Sequence, residues 1–306
     1  MKFSENLTKR LVQAKQIFLH GKIHSFSASE LDRLFTILSI DQAIEHFLHT
    51  LIIEYNVTKL KSPLNAKFKE IFDASNDEIK NVLKKELPLK TAVFTVHNLR
   101  NIAQHYGTIP SESEIQKSVI YCEDFLLQSY NLCFNKNYEE VFLSELIIDD
   151  DVRKHFREGE IALSNEKYKD AMAHIGLSFH LLRFHEEKLL PYRSSIRSFS
   201  GFRLSDIVSR IIDKDKRHRS SEFKNLLDSI LKEIEYVDDK VSILSVGGKL
   251  QDYNLFKKIT PHYNIFPSGK FETIYTKSEQ ENPERSDCFR VMNFVYNYII
   301  NSQSLR

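Results

Sequence analysis

The chain has 306 residues, 42% of them hydrophobic and 28% charged, and a formal net charge of +1. This composition excludes a disordered chain or a uniformly basic nucleic-acid coat, and it leaves room for one large or two ordinary domains with substantial cores. Three cysteines without a CxxC pair argue against a disulfide frame or structural zinc.

No apolar run approaches a membrane span, and residues 1–22 read as amphipathic rather than as a signal peptide. A cytoplasmic location with no membrane partner is therefore expected. Only 8 glycines and 7 prolines favour long helices over a turn-rich β architecture, so the expected fold class is all-α.

In chain order, Ser27-Ala28-Ser29-Glu30 has the form of a capping box, and Leu31, Leu34, Phe35 and Leu38 follow at helical spacing. Residues 39–42 read as a second box, opening a helix with Ala43, Ile44, Phe47, Leu48, Leu51 and Ile52 on its apolar stripe. Residues 75–78 then predict the start of a third helix running toward Glu86, with a break at Pro88. Residues 90–106 form a further helix. Pro110-Ser111-Glu112-Ser113-Glu114 caps another, with Ile115, Val119, Cys122 and Leu126 on one stripe. The first domain, residues 1–148, is thus expected to be a bundle of four or five helices.

The run Asp149-Asp150-Asp151 marks the boundary to a second domain, residues 149–306. One long helix is expected from Asp151 to about Leu190, stopped by Pro191, with further helices at 203–213 and 221–236. A short strand at 271–276 and a closing helix at 286–301 complete it. A faint repeat links the domains: residues 105–111, His-Tyr-Gly-Thr-Ile-Pro-Ser, are echoed by residues 262–268, His-Tyr-Asn-Ile-Phe-Pro-Ser. In that alignment Lys257 falls on Arg100 and His262 on His105.

The densest chemical signal is His97-Asn98-Leu99-Arg100-Asn101-Ile102-Ala103-Gln104-His105-Tyr106-Gly107. Gly107 is suited to end the helix, because glycine accepts the left-handed conformation a helix end often needs. Arginine offers a planar, permanently charged fork for phosphate, and histidine can move protons near neutral pH. Asn101 and His105 are four apart and share a helix face, so the amide is placed to fix the ring or touch a ribose. Arg100 and His105 lie about 140° apart around an ideal helix, so arginine's reach must close that gap. Cations near a helix C-terminus also stabilise it by about 0.3–1 kcal/mol each, so a purely structural role stays open.

In this context Arg100-Asn101-x3-His105 resembles the signature of the HEPN family: an arginine, a polar residue, then a histidine after a few positions. The resemblance covers about residues 28–135, with residues 151–303 as a divergent second copy, and implies two tandem HEPN-like helical bundles. It further implies a metal-independent endoribonuclease of the toxin or phage-defence kind. Two motifs would face one cleft, in a homodimer or an internal pseudo-dimer, and an antitoxin or regulatory protein would be a partner. RNA would be cut by attack of its own 2′-hydroxyl, which needs a base, an acid and stabilisation of the phosphoryl oxygens but no cofactor. Arg100 would hold the phosphate, His105 would act as acid or base, and Asn101 would orient. The rival expectations are a non-catalytic HEPN-type module binding nucleotide, RNA or a protein, and a structural helical scaffold.

Weaker signals surround this motif. Arg193, Arg197 and Arg203 are interleaved with Phe199 and Phe202, a pattern suited to single-stranded RNA. Lys257 and His262 join them as candidate RNA contacts, although Lys257 lacks the arginine fork and Pro261 disrupts a helix presenting His262. His46 and His49 share a helix face without an evident third ligand, and His174, His180 and His185 do not share one. No metal site is expected. P-loop, GxSxG, HExxH and GxGxxG patterns do not occur in the sequence.

Overall fold

The structure is a computed structural model that describes residues 4–27, 29–60, 65–189, 229, 236–237, 239–266, 271–274 and 283–304. Apart from one two-stranded sheet, its regular elements are helical, so the fold is all-α. The chain divides into two compact units, Met1–Ile147 and Ile148–Arg306.

The first unit contains α1 (Glu5–His24), α2 (Glu30–Glu54), α3 (Phe68–Leu83), α4 (Lys90–Tyr106) and α5 (Glu112–Phe134). Ser29 caps α2, its side chain accepting from the Asp32 amide. Ser111 and Glu114 form the capping box of α5, as its sequence predicts.

Two other boxes do not start helices. Residues 39–42 lie inside the uninterrupted α2 and residues 75–78 inside α3, which begins seven residues earlier at Phe68. In each case a polar side chain serves a tertiary contact instead, Asp41 in the first run and Asn76 in the second. Asn76 Oδ1 accepts from the Leu87 amide at 2.7 Å, anchoring the α3–α4 loop.

Helix α2 is the axis of this unit and packs against α1, α3, α4 and α5. A Cβ on Gly21 would lie 2.9 Å from Ser39 Cβ, so glycine permits the close approach of α1 to α2. Phe47 stacks on Tyr130 with ring centroids 5.0 Å apart and meets Phe125 edge-on. The buried Tyr130 hydroxyl donates to the Leu11 carbonyl at 2.7 Å. Lys15 donates to the Tyr138 and Val141 carbonyls, tying the short turns after α5 back to α1.

In the second unit, α6 (Asp150–Ser164) and α7 (Tyr168–Leu189) replace the single long helix expected there. The reason lies at Ser164 and Asn165, whose side chains both donate to the Ile161 carbonyl. Glu166 then adopts a left-handed φ of 58°, and the Lys167 amide bonds back to Ala162. The chain reverses within three residues, and α7 packs against α6. A helical stretch at 239–245, α8 (Leu250–Ile259), the antiparallel pair β1 (His262–Ile265) and β2 (Phe271–Ile274), and α9 (Arg285–Ser304) follow. Apart from residues 229 and 236, the expected helices at 203–213 and 221–236 lie outside the described residues.

Phe179, Tyr253, Phe256, Phe294 and Tyr298 form an aromatic core in this unit. Arg183 and Tyr253 both donate to Asp239, at 2.6 and 2.9 Å. His180 sits beside this core, its ring near Phe256 and Tyr263. Burial, and then the nearby Arg183 charge, pull its pKa down to about 4.

Folded His180 therefore stays neutral where an unfolded histidine, with a pKa near 6.5, takes up a proton. Stability is lost as pH falls from above 6.5 toward 4, by on the order of 2–3 kcal/mol. Hydrogen-exchange protection of α7 amides, corrected for intrinsic rates, is expected to drop between pH 7 and pH 5. The drop should be smaller in His180→Phe, and an equal drop in both proteins would refute this assignment.

Candidate active site at the end of helix α4

Helix α4 is entered through Leu89, whose φ is 55°, and left through Gly107, whose φ is 67°. A Cβ at Gly107 would meet nothing within 4 Å, so its conformation rather than space calls for glycine.

Three-residue spacing puts His97 and Arg100 on one face of α4. That face meets Asp41, midway along α2 and only 1% exposed. Arg100 Nε lies 3.3 Å from Asp41 Oδ2. His97 Nδ1 lies 3.1 and 3.2 Å from the two carboxylate oxygens. Phe68, the first residue of α3, stacks flat on the His97 ring with centroids 3.9 Å apart and planes 7° from parallel.

The guanidinium is fixed from a second side. Arg100 Nη1 donates to Asn101 Oδ1 at 2.9 Å. The amide therefore orients Arg100 rather than the His105 ring, where its i,i+4 spacing pointed. Nε and Nη1 are engaged, and among the described residues no hydrogen bond takes the Nη2 donors, which remain for an anion.

His105 differs in every respect. It lies in the last turn of α4 and is exposed, next to Tyr106, which is 81% exposed. Among the described residues no hydrogen bond or ion pair reaches its ring. The structure thus joins Arg100 to Asn101 and presents His105 to solvent, five residues and ~7.5 Å further along the helix axis. Arg33 Nε donates to the Pro110 carbonyl at 3.0 Å, holding the loop that follows His105.

Asp41, His97 and Phe68 were not among the residues expected at the site. His97 stands in the motif run itself. Asp41 carries a signal too, as a lone acid inside an apolar helical stripe.

The second motif is not a structural copy of the first. Lys257 is exposed on α8, its ammonium 5.7 Å from the Tyr253 ring centroid. Helix α8 ends at Ile259, and His262 opens β1 opposite Ile274. Pro261 donates no N–H and restricts the residue before it, so the helix does not reach His262. Arg193, Arg197 and Arg203 lie outside the described residues.

The remaining candidates separate. Burial, reinforced by Arg10, lowers the His46 pKa. His185 pairs with Asp149 at 2.7 Å. All three cysteines are buried. Burial pushes Cys133 and Cys288 up to about 12 and Cys122 well above its ordinary value, which disfavours thiolate nucleophiles.

Comparison with known proteins gives no match to a family model, a curated protein or a solved structure.

The geometry divides structural from exposed roles. Asp41→Asn is expected to cost roughly 2–4 kcal/mol in urea denaturation, because it leaves a half-buried guanidinium without its counter-charge. His105→Ala should change stability by less than about 0.5 kcal/mol, as an exposed side chain without partners. Equal costs for the two substitutions would contradict this division.

Proposed function

We propose that the first unit is a metal-independent endoribonuclease of the HEPN kind, acting at the C-terminal end of α4. The observation that carries this reading is an exposed imidazole, His105, following an arginine whose fork is already held in place. RNA supplies its own nucleophile in the 2′-hydroxyl, so the protein needs only proton transfer and charge stabilisation at the phosphate. The Nη2 donors of Arg100 would hold a phosphoryl oxygen. His105 would protonate the leaving 5′-oxygen.

A single α4 end offers one arginine and one histidine, whereas the cleavage step needs both a base and an acid. A second copy of the motif would supply the missing group. The strand position of His262 favours pairing of two first units from different chains, giving a homodimer. A role as a toxin or phage-defence effector, held in check by an antitoxin or regulatory protein, belongs to the same proposal.

One observation favours a second reading, a non-catalytic module that binds RNA or nucleotide. The charge of Arg100 is already offset by Asp41, which weakens its pull on a phosphate.

Incubating the full chain with RNA in EDTA separates the two. Cleavage that survives EDTA and falls 10²–10⁴-fold in His105→Ala is expected from loss of a general acid or base. RNA retention without products, equal in wild type and His105→Ala, would establish the binding module instead.

A further inference from the structure

In the second unit, three side chains with metal-ligating atoms converge. His155 and Glu158 are three residues apart on α6 and share a face, and His174 faces them from α7. The Glu158 Oε2 atom lies 3.2 Å from His155 Nδ1 and 3.1 Å from His174 Nδ1. The two Nδ1 atoms are 3.4 Å apart. These are the separations of ligands sharing one ion. With metal–nitrogen and metal–oxygen bonds of about 2.0–2.1 Å, neighbouring ligand atoms stand ~3.0 Å apart in an octahedron and ~3.4 Å apart in a tetrahedron.

The surroundings hold this arrangement. Gly159 brings the helices together, since a Cβ there would meet Ile175 Cγ1 at 2.6 Å. Phe271 of β2 places its ring edge-on to His155 with centroids 5.5 Å apart. The side chains of His155, Glu158 and His174 are 15%, 39% and 37% exposed, which leaves an entry path and room for water on the open side.

We infer that His155, Glu158 and His174 bind a divalent transition-metal ion of the zinc type, clamping α6 to α7, with the remaining coordination positions open to solvent. Two imidazoles and one carboxylate select Zn²⁺, Co²⁺ or Ni²⁺ over Mg²⁺ and Ca²⁺, which prefer all-oxygen sites. The site shares no residue with the α4 cluster. It stands or falls independently of the nuclease reading.

The test uses the full chain, stripped with EDTA, exchanged into metal-free buffer and titrated with Zn²⁺ and with Co²⁺. One equivalent is expected to bind, with visible d–d absorption for Co²⁺. Affinity should fall at least tenfold in His155→Ala and in His174→Ala, and remain unchanged in His49→Ala. Should the alanine variants fail to fold, long-range ¹H–¹⁵N spectra of the wild type provide the second measurement. Zn²⁺ should then shift two histidine rings at their Nδ1 atoms, and His155→Gln and His174→Gln should each remove one of those signals. Absence of stoichiometric uptake, undiminished affinity in the variants, or shifts confined to other histidines would overturn the assignment.

Discussion

A carboxylate in the middle of an apolar helix must be neutralised where it stands, and Asp41 imposes that condition on the first unit. It sits on α2, the helix that meets the other four, and is 1% exposed. Burying an unpaired charge costs several kcal/mol, whereas two opposite charges about 4 Å apart attract by ~4 kcal/mol at an effective dielectric of 20. The unit meets the condition with the charge of Arg100 and a hydrogen bond from His97, both on α4. The rotation of α4 about its axis follows from this pairing, and with it the direction in which the last turn presents His105. Phe68 extends the constraint to α3 through its stacking on His97.

The same interaction separates two jobs that a short motif runs together. An arginine free in solvent loses rotamer entropy whenever it grips a phosphate. Arg100 is ordered in advance by Asp41 and Asn101, so a ligand would find its outer donors already aimed. In the proposed nuclease that would be electrostatic preorganisation, obtained at the expense of some net positive charge. His105 carries no such structural duty and remains open to solvent. A site built this way gains directional hydrogen bonding more than long-range attraction, which suits a protein whose overall charge is +1.

The parts of this architecture that were legible in the sequence are those set by local chemistry. Helical periodicity marked α4 and α5, Ser111 and Glu114 marked the α5 cap, and Gly107 marked the end of α4. The parts that were not legible are polar residues that look like local signals but serve distant partners. Residues 39–42 have the composition of a helix start, and Asp41 fits it as a first-turn acid. Only the packing of α2 against α4 shows that its partner is 59 residues away at Arg100. Asn76, similarly, has the chemistry of a cap but bonds the Leu87 amide in the next loop. A capping box and a buried polar anchor can carry the same residues; they differ in whether the chain upstream is already helical.

The opposite case occurs between α6 and α7. There the sequence shows no obvious helix stop, because Ser164, Asn165, Glu166 and Lys167 include neither glycine nor proline. Ser164 and Asn165 end α6 with side-chain bonds to Ile161, and Glu166 takes the left-handed conformation, at some cost for a residue with a Cβ. The consequence is chemical. On one continuous helix His155 and His174 would be ~28 Å apart, too far to share any ligand. On a hairpin reversing at residues 165–167 the two antiparallel helices bring them face to face, with their Nδ1 atoms 3.4 Å apart. A three-residue reversal therefore decides whether these histidines are unrelated surface groups or two corners of one coordination polyhedron.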